Sequence, residues 1–433
     1  MFGAVRRTFA HPVFLASFVL VLVLSSVLYI TGKVAHPIKS DGWGYYLHLP
    51  AVFIYGDAVF AFVDRPEFPK TAERQGDGSW QGLSPLGNGG YLNKYPVGTA
   101  VLQAPFFLTA LLVAKIALPR VTGLEPPFQF ASIVSAAFFF ALGLSLSYRT
   151  ARLRYGVPAS LSATGLAVLA TNLLFYATVD GSYSHIYGFC LVAGICFLTV
   201  RRVELGGAPP WWESALFGGL LGTAVMVRPT NAVVGLLYLV LVRRSHFSAI
   251  GGSALVALAA AAIAALPQIA QWYVTTGHAV YYSYSGEGFR FLNPEISNYL
   301  FSIRKGVFFW HPAYLAMIAA AIAQIPRRPF EGTTVAVILA LNLYIGASWH
   351  DYTFGSSFGC RQIVEMLPLL IVATAGAIEG RGSRWRSVAT AGGCALVLLN
   401  AVNLYGIATR RLPTNDTTPE IYLAFLSDAF GLR

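Results

Sequence analysis

The sequence predicts an all-α polytopic membrane protein of about eleven transmembrane helices, with a juxtamembrane or re-entrant helix in a long first external loop. Three observations carry this. Of 433 residues, 56% are hydrophobic and only 11% charged, against roughly 25% charge in an average soluble domain. Apolar runs near the length of a bilayer span, roughly 20 residues, recur along a chain whose mean hydropathy is +0.60. Lys and Arg gather at the ends of these runs, as they do at cytoplasmic boundaries. The net charge of +11 is thereby assigned to topology and anionic membrane lipid, not to nucleic acid. Residues 1–433 read as a single integral membrane domain.

Arg6 and Arg7 precede the run Pro12–Ile30, which is longer than a signal-peptide core and reads as an uncleaved first span with a cytoplasmic N-terminus. The section from Thr31 to Lys94 contains Pro66, Pro69, Pro85 and many glycines, too many breakers for regular helix throughout. Together with the run after it, this section forms the first external loop, 31–127. Val97–Leu118 is apolar enough to cross, but the later basic clusters argue otherwise. Arg149/Arg152/Arg154, Arg201/Arg202, Arg243/Arg244, Arg327/Arg328 and Arg381/Arg384/Arg386 share the cytoplasmic side only if Val97–Leu118 makes no net crossing. It is therefore expected in the outer interface, or as a segment that dips in and returns.

The remaining spans are expected at Phe128–Tyr148, Val157–Tyr176, His185–Val200, Glu213–Val227, Thr230–Val242, Ile250–Ile269, Val307–Ile325, Thr333–Ser348, Val364–Ala377 and Val388–Ile407. The two that flank Arg228-Pro229 are short and read as spans or as a broken hairpin. This order places four sections outside: the first loop, Val179–Ser184, a second large loop at 271–306, and Trp349–Gln362.

Nearly all the polar chemistry lies in those sections. Ser40-Asp41-Gly42-Trp43-Gly44-Tyr45-Tyr46 follows the first span directly. A carboxylate within reach of a hydroxyl can take its proton, and Gly42 and Gly44 are expected to leave room for an acceptor beside Asp41. The plain alternative is that Asp41 caps a helix. Asp57 suits acceptor orientation, a share in a metal site, or a solvated turn at the end of a short helix. Asp64, Glu67, Glu73 and Asp77 read as loop charges.

Arg228 stands out as a charge inside an apolar region. Such an arginine points to function by default, or it bonds the carbonyls that Pro229 frees. Lys94, Arg304, Lys305, His311, His350, Asp351 and Arg361 complete a polar, largely basic outer rim suited to a lipid phosphate, each being alternatively a headgroup anchor. His48 and His185 read as polar partners in the interface. Tyr281-Tyr282-Ser283-Tyr284 reads as a sugar-stacking platform or an aromatic belt. Cys190, Cys196 and Cys394 sit in apolar runs, Cys360 lies in a loop without an obvious partner, and no metal-ligand spacing appears.

Asp41, Gly56-Asp57 and Lys94-Tyr95-Pro96, in this order after a first span, resemble the GT-C glycosyltransferases, although many of those have two prolines after the lysine. The resemblance in topology covers most of the chain, and that in residues the first hundred or so. It implies a transferase that moves a sugar from a polyprenyl-phosphate carrier to an acceptor hydroxyl on lipid, glycan or protein. The reaction would run on the external or periplasmic side of the cytoplasmic membrane, with inversion and with Asp41 as general base. Asp57, Lys94, Arg228, Arg304, Lys305, His311, His350, Asp351 and Arg361 are then the candidates for substrate binding. No metal-ligand set is assigned, yet one or two carboxylates plus a phosphate suffice for Mg²⁺ or Mn²⁺. A transporter, a lipid-linked-saccharide flippase and a non-catalytic subunit of an envelope-polymer assembly are the other readings.

Overall fold

The computed structural model describes residues 11–431 except 70, 72 and 88; the Arg6–Arg7 pair lies outside them. Apart from one short hairpin, in which Leu83–Pro85 pairs antiparallel with Tyr91–Asn93, the regular elements are helices. Seven of these, among the described residues, are long and apolar enough to cross a membrane, and four shorter apolar helices accompany them. The architecture is the all-α polytopic one expected from sequence.

Ser184–Leu205 is the buried axis of the bundle, packed between Pro126–Arg152, Trp211–Val227 and Leu367–Ile378. Glycines allow the close approaches. A Cβ on Gly143 would fall 2.7 Å from Phe189, and one on Gly218 would fall 1.9 Å from the Ala257 carbonyl oxygen. Such small-residue contacts are how helices associate where lipid removes the hydrophobic drive between them. Phe247–Thr276 packs on Trp211–Val227 along one stripe and exposes Leu255, Leu258, Ile263 and Leu266.

The basic run-ends converge on one end of the bundle. Arg154 pairs with Glu204 at 2.6 Å and with Glu331 at 2.6 Å, and Arg243 pairs with Glu331 at 3.0 Å. Arg202 holds the buried Glu213 at 2.6 Å, and the Gly156 N–H donates to Glu379 at 2.9 Å. Seven helix ends therefore share a face, the arrangement the charge clusters predict.

Pro12–Ile30 lies antiparallel to Pro126–Arg152. His11 meets Tyr148 at 5.3 Å between ring centroids, and Phe14 meets Phe138. The chain between these helices thus leaves and re-enters the bundle at the same end. Gly98–Ala117 is a continuous helix of 20 residues, yet both of its flanks are tied to the short helix Ser40–Tyr46. Before it, Asn93 donates to the Gly44 carbonyl at 2.8 Å; after it, the Tyr46 hydroxyl donates to the Gly123 carbonyl at 2.6 Å. Its length and composition match a crossing, and its anchoring matches an element that returns.

At Arg228 the backbone turns extended, with φ −152° and ψ 118°, and Pro229–Leu236 continues as a 3-10 helix before Leu237–Val242. Proline has no N–H to continue the α-helical ladder, so the break falls where the sequence put it. In a background with the exposed Cys394 replaced, Asp77→Cys and Arg120→Cys should react with an impermeant maleimide from one side of the membrane, and Arg244→Cys from the other. Labelling of Arg120→Cys from the Arg244 side would contradict the returning element.

Candidate functional site

A cavity of about 340 Å³ opens at the end of the bundle opposite the basic run-ends. Five elements build it: the Ser40–Tyr46 helix, the approach to Gly98, the break at Arg228-Pro229, and the loops around 282–289 and 349–362.

Asp41 occupies the first turn of its helix and makes no capping bond, the N-cap being Lys39. Its side chain turns into the cavity instead. One oxygen lies 2.6 Å from an Arg361 guanidinium nitrogen, and the other accepts a 2.7 Å bond from the Tyr95 hydroxyl. Burial by itself would raise this carboxyl. Arg361, the Tyr95 hydroxyl and the nearby Lys94 charge outweigh that and hold it below the ordinary carboxylate value, so Asp41 is ionised at neutral pH.

The residue before it is under strain. Ser40 has φ +50°, a left-handed conformation that costs an L-residue about 1–2 kcal/mol. The buried Glu73 accepts its N–H at 3.1 Å, and Gln81 donates to its hydroxyl at 3.2 Å. Lys39 pairs with Asp180 at 3.1 Å. Glu73 is therefore a brace for the Asp41 turn, not a solvated loop charge.

The two glycines do not make room for a substrate. A Cβ on Gly42 would fall 1.9 Å from the Ser182 hydroxyl, and one on Gly44 would fall 2.1 Å from the Tyr95 ring. Protein fills both spaces. The same Tyr95 ring packs against Tyr45 at 4.8 Å, so Gly44 sets the position from which Tyr95 reaches Asp41.

Six of the sequence-derived candidates line the cavity: Asp41, Lys94, Arg228, His350, Asp351 and Arg361. Lys94 pairs with Glu287 at 2.6 Å and lies over the Tyr95 and Tyr284 rings. Arg361 also lies over the Tyr183 ring, at 5.4 Å. Asp351 accepts from the Thr353 N–H at 3.0 Å and hydroxyl at 2.6 Å, which fixes the loop. His350 Nδ1 is buried with no hydrogen-bond partner among the described residues.

Arg228 is held by a carboxylate as well as by its surroundings. It lies 3.4 Å from Glu365, which in turn lies 3.0 Å from His185 Nδ1; both Glu365 and His185 are about 2% exposed. Glu365 is the residue that sequence reasoning missed. A single carboxylate at the entry to the apolar run Val364–Ala377 was the available signal, since a charge there needs a partner, and Arg228 is that partner.

The other four candidates lie outside the cavity. Asp57 uses both oxygens to accept the Val59 and Phe62 N–H groups, at 3.1 and 2.8 Å, and so fixes a turn. Arg304 donates to the Asn415 carbonyl and pairs with Asp416 at 2.9 Å. The Lys305 amine is buried among the Ser357 carbonyl and hydroxyl and the Thr414 carbonyl. His311 is fully buried against Asn400, at 3.0 Å, and Gly359. These four groups are turned to neighbouring segments, and none of them is among the residues that line the cavity. The rim is narrower than the sequence implied.

Aromatic side chains also line the cavity, among them Tyr45, Tyr282, Tyr284 and Trp349. Half of the tyrosine run thus belongs to the cavity. All four cysteines are free thiols. Among the described residues no three His, Cys, Asp or Glu side chains come together to hold a metal ion, and Asp41 already spends both oxygens on Arg361 and Tyr95.

The helical bundle with its long, folded first loop shares its fold with solved structures. It is similar to ArnT from Cupriavidus metallidurans in the apo state, with a TM-score of 0.53 at 14% identity, over 86% of this chain and 62% of that one. Against ArnT from the same organism bound to undecaprenyl phosphate the TM-score is 0.50 at 15% identity, over 91% and 71%. The chain thus spans 62% of the length of the apo ArnT chain it matches. The archaeal oligosaccharyltransferase AglB from Archaeoglobus fulgidus, at a TM-score of 0.45, is too distant to carry an argument. No protein-family model and no curated protein matches the sequence.

Glu365→Gln should leave Arg228 buried against a neutral partner. Breaking a buried pair in this way costs about 3–5 kcal/mol, which thermal unfolding in detergent should read as a clear loss of stability. An unchanged melting temperature would show that the pair is not needed to hold Arg228.

Proposed function

We propose that the chain is a GT-C glycosyltransferase that moves a sugar from a polyprenyl-phosphate carrier to an acceptor hydroxyl on the external face of the cytoplasmic membrane. The observation that carries this reading is a carboxylate, Asp41, ion-paired to Arg361 in a cavity that Lys94 and Arg228 also line. Undecaprenyl phosphate is the ligand named for one of the ArnT structures similar to this chain.

The roles follow from charge. The leaving group is a lipid phosphate, and planar guanidinium groups bind its oxygens through two N–H bonds at once. Arg361 and Arg228 take that part, with Lys94 as a further positive charge. Asp57, Arg304, Lys305 and His311 have no part in it, since none lines the cavity. The acceptor oxygen attacks the sugar C1 from the face opposite the phosphate. The C1–O bond to phosphate breaks, polyprenyl phosphate leaves, and the hydroxyl proton passes to Asp41. One displacement inverts the anomeric configuration.

A carboxylate held by Arg361 and Tyr95 is a weak base. The donor phosphate competes with Asp41 for Arg361, and once that guanidinium turns to phosphate, the carboxylate regains basicity beside the acceptor. The resting ion pair thereby favours reaction only with donor in place. His350, with its buried unpartnered nitrogen, and the Tyr284 and Trp349 rings are suited to hold the sugar.

Asp41→Asn should lower transfer from a polyprenyl-phosphate sugar by about 10²–10⁴-fold, the usual worth of a general base, with donor binding retained. Undiminished turnover would remove Asp41 from the mechanism. In kcat/KM, which reports the free enzyme, protonation of Asp41 should give wild type no loss between about pH 5 and 8, because the resting carboxyl is held below its usual value of about 3.9. Tyr95→Phe deletes a bond to the charged form, so it should move the acid limb of the pH–rate profile upward.

A further inference from the structure

The end of the bundle away from the proposed active site carries its own opening. A groove of about 670 Å³ is lined there by Arg243, Arg327, Arg328 and Phe330. It shares Tyr155, Gln324, Arg328 and Glu331 with a slot of about 70 Å³ that enters the bundle between Leu237, Val240, Val335 and Leu369. One opening thus joins a basic mouth to an apolar interior.

The mouth is held in shape by two carboxylates. Glu331, with a side chain 9% exposed, lies 2.6 Å from Arg154, 3.0 Å from Arg243 and 3.7 Å from Arg328. Glu204 bridges Arg154 at 2.6 Å and Arg328 at 3.4 Å. Arg327 donates to the Gly376 carbonyl at 2.8 Å and is otherwise directed to the exterior. Four guanidiniums against two carboxylates leave the groove positive. Arg152, bonded to the Tyr155 carbonyl, and Glu379, which accepts the Gly156 N–H, flank it with opposite charges.

Guanidiniums packed this closely repel one another, and the carboxylates behind them hold them facing the groove. Planar N–H forks so arranged match the oxygens of a phosphate group. The lip carries the apolar ring of Phe330, 49% exposed. An inorganic anion would satisfy the mouth and leave slot and lip bare, whereas an anionic amphiphile fills all three. We propose that this opening binds one anionic phospholipid, its phosphodiester on Arg327 and Arg328 and the start of one acyl chain in the slot. The site is independent of the transferase reading, because it shares no residue with the cavity around Asp41.

The test uses the purified full chain, delipidated in neutral detergent, with thermal unfolding as the readout. Dioctanoyl-phosphatidylglycerol should raise the melting temperature by about 2 °C or more, and dioctanoyl-phosphatidylcholine should not. The exposed double variant Arg327→Gln/Arg328→Gln should lose that shift. Arg381→Gln/Arg384→Gln, at the same end but outside the groove, should keep it. The proposal is overturned if phosphatidylcholine or inorganic phosphate matches phosphatidylglycerol, or if both double variants respond alike, since bulk charge attraction would then suffice. It is also overturned if a short-chain polyprenyl phosphate displaces phosphatidylglycerol at lower concentration, which would make the opening a second carrier site. Native mass spectrometry of the lightly delipidated protein supplies a second measurement, in which retained phosphatidylglycerol should fall in the Arg327/Arg328 variant.

Discussion

A carboxylate and a guanidinium 2.6 Å apart, Asp41 and Arg361, join the start of the chain to its last third. Each charge would be costly to bury alone, and each makes the other's position tenable. Around this pair the structure spends much of its polar capacity. Ser40 is strained and braced by Glu73, Tyr95 is seated by Gly44, and Asp351 fixes the loop that delivers Arg361. The segment after Pro12–Ile30 folds back on itself so that Lys94 and Tyr95 arrive beside Asp41 from more than fifty residues away.

The same rule organises the layer beneath. Arg228 enters at a helix break that proline enforces, and it is tolerated because Glu365 and His185 lie against it. At the far end, Glu331 and Glu204 hold arginines together that would otherwise repel. A bundle of apolar helices associates weakly through its apolar surfaces in lipid. Ion pairs between distant segments, with glycine contacts between the helices, therefore fix which elements meet. The paired charges are at once scaffold and site.

Much of this was legible in the chain. Apolar run length and basic run-ends located most of the helices, while two expected spans, Val157–Tyr176 and Val307–Ile325, are each broken into two shorter helices. Asp41, Lys94, Arg228, His350, Asp351 and Arg361 could be picked out because polar groups are rare in such a sequence and cluster where the chain leaves the apolar layer. Asp57, Arg304, Lys305 and His311 looked equivalent to them on the same grounds. Nothing local separates an arginine that faces a cavity from one whose partner lies a hundred residues away, as Asp416 does for Arg304.

The sequence by itself determined the helical architecture, the side on which polar loops accumulate, and the break at Arg228-Pro229. These depend on hydropathy, charge and the missing proline N–H, which are properties of adjacent residues. Only the tertiary structure decided which charges are spent on one another and which remain to meet a ligand. It paired Glu365 with Arg228, filled the space beside Gly42 and Gly44 with Ser182 and Tyr95, and set Arg361 on Asp41. Those outcomes follow from contacts between residues far apart in the chain, where a few ångströms decide whether a charge is neutralised or available.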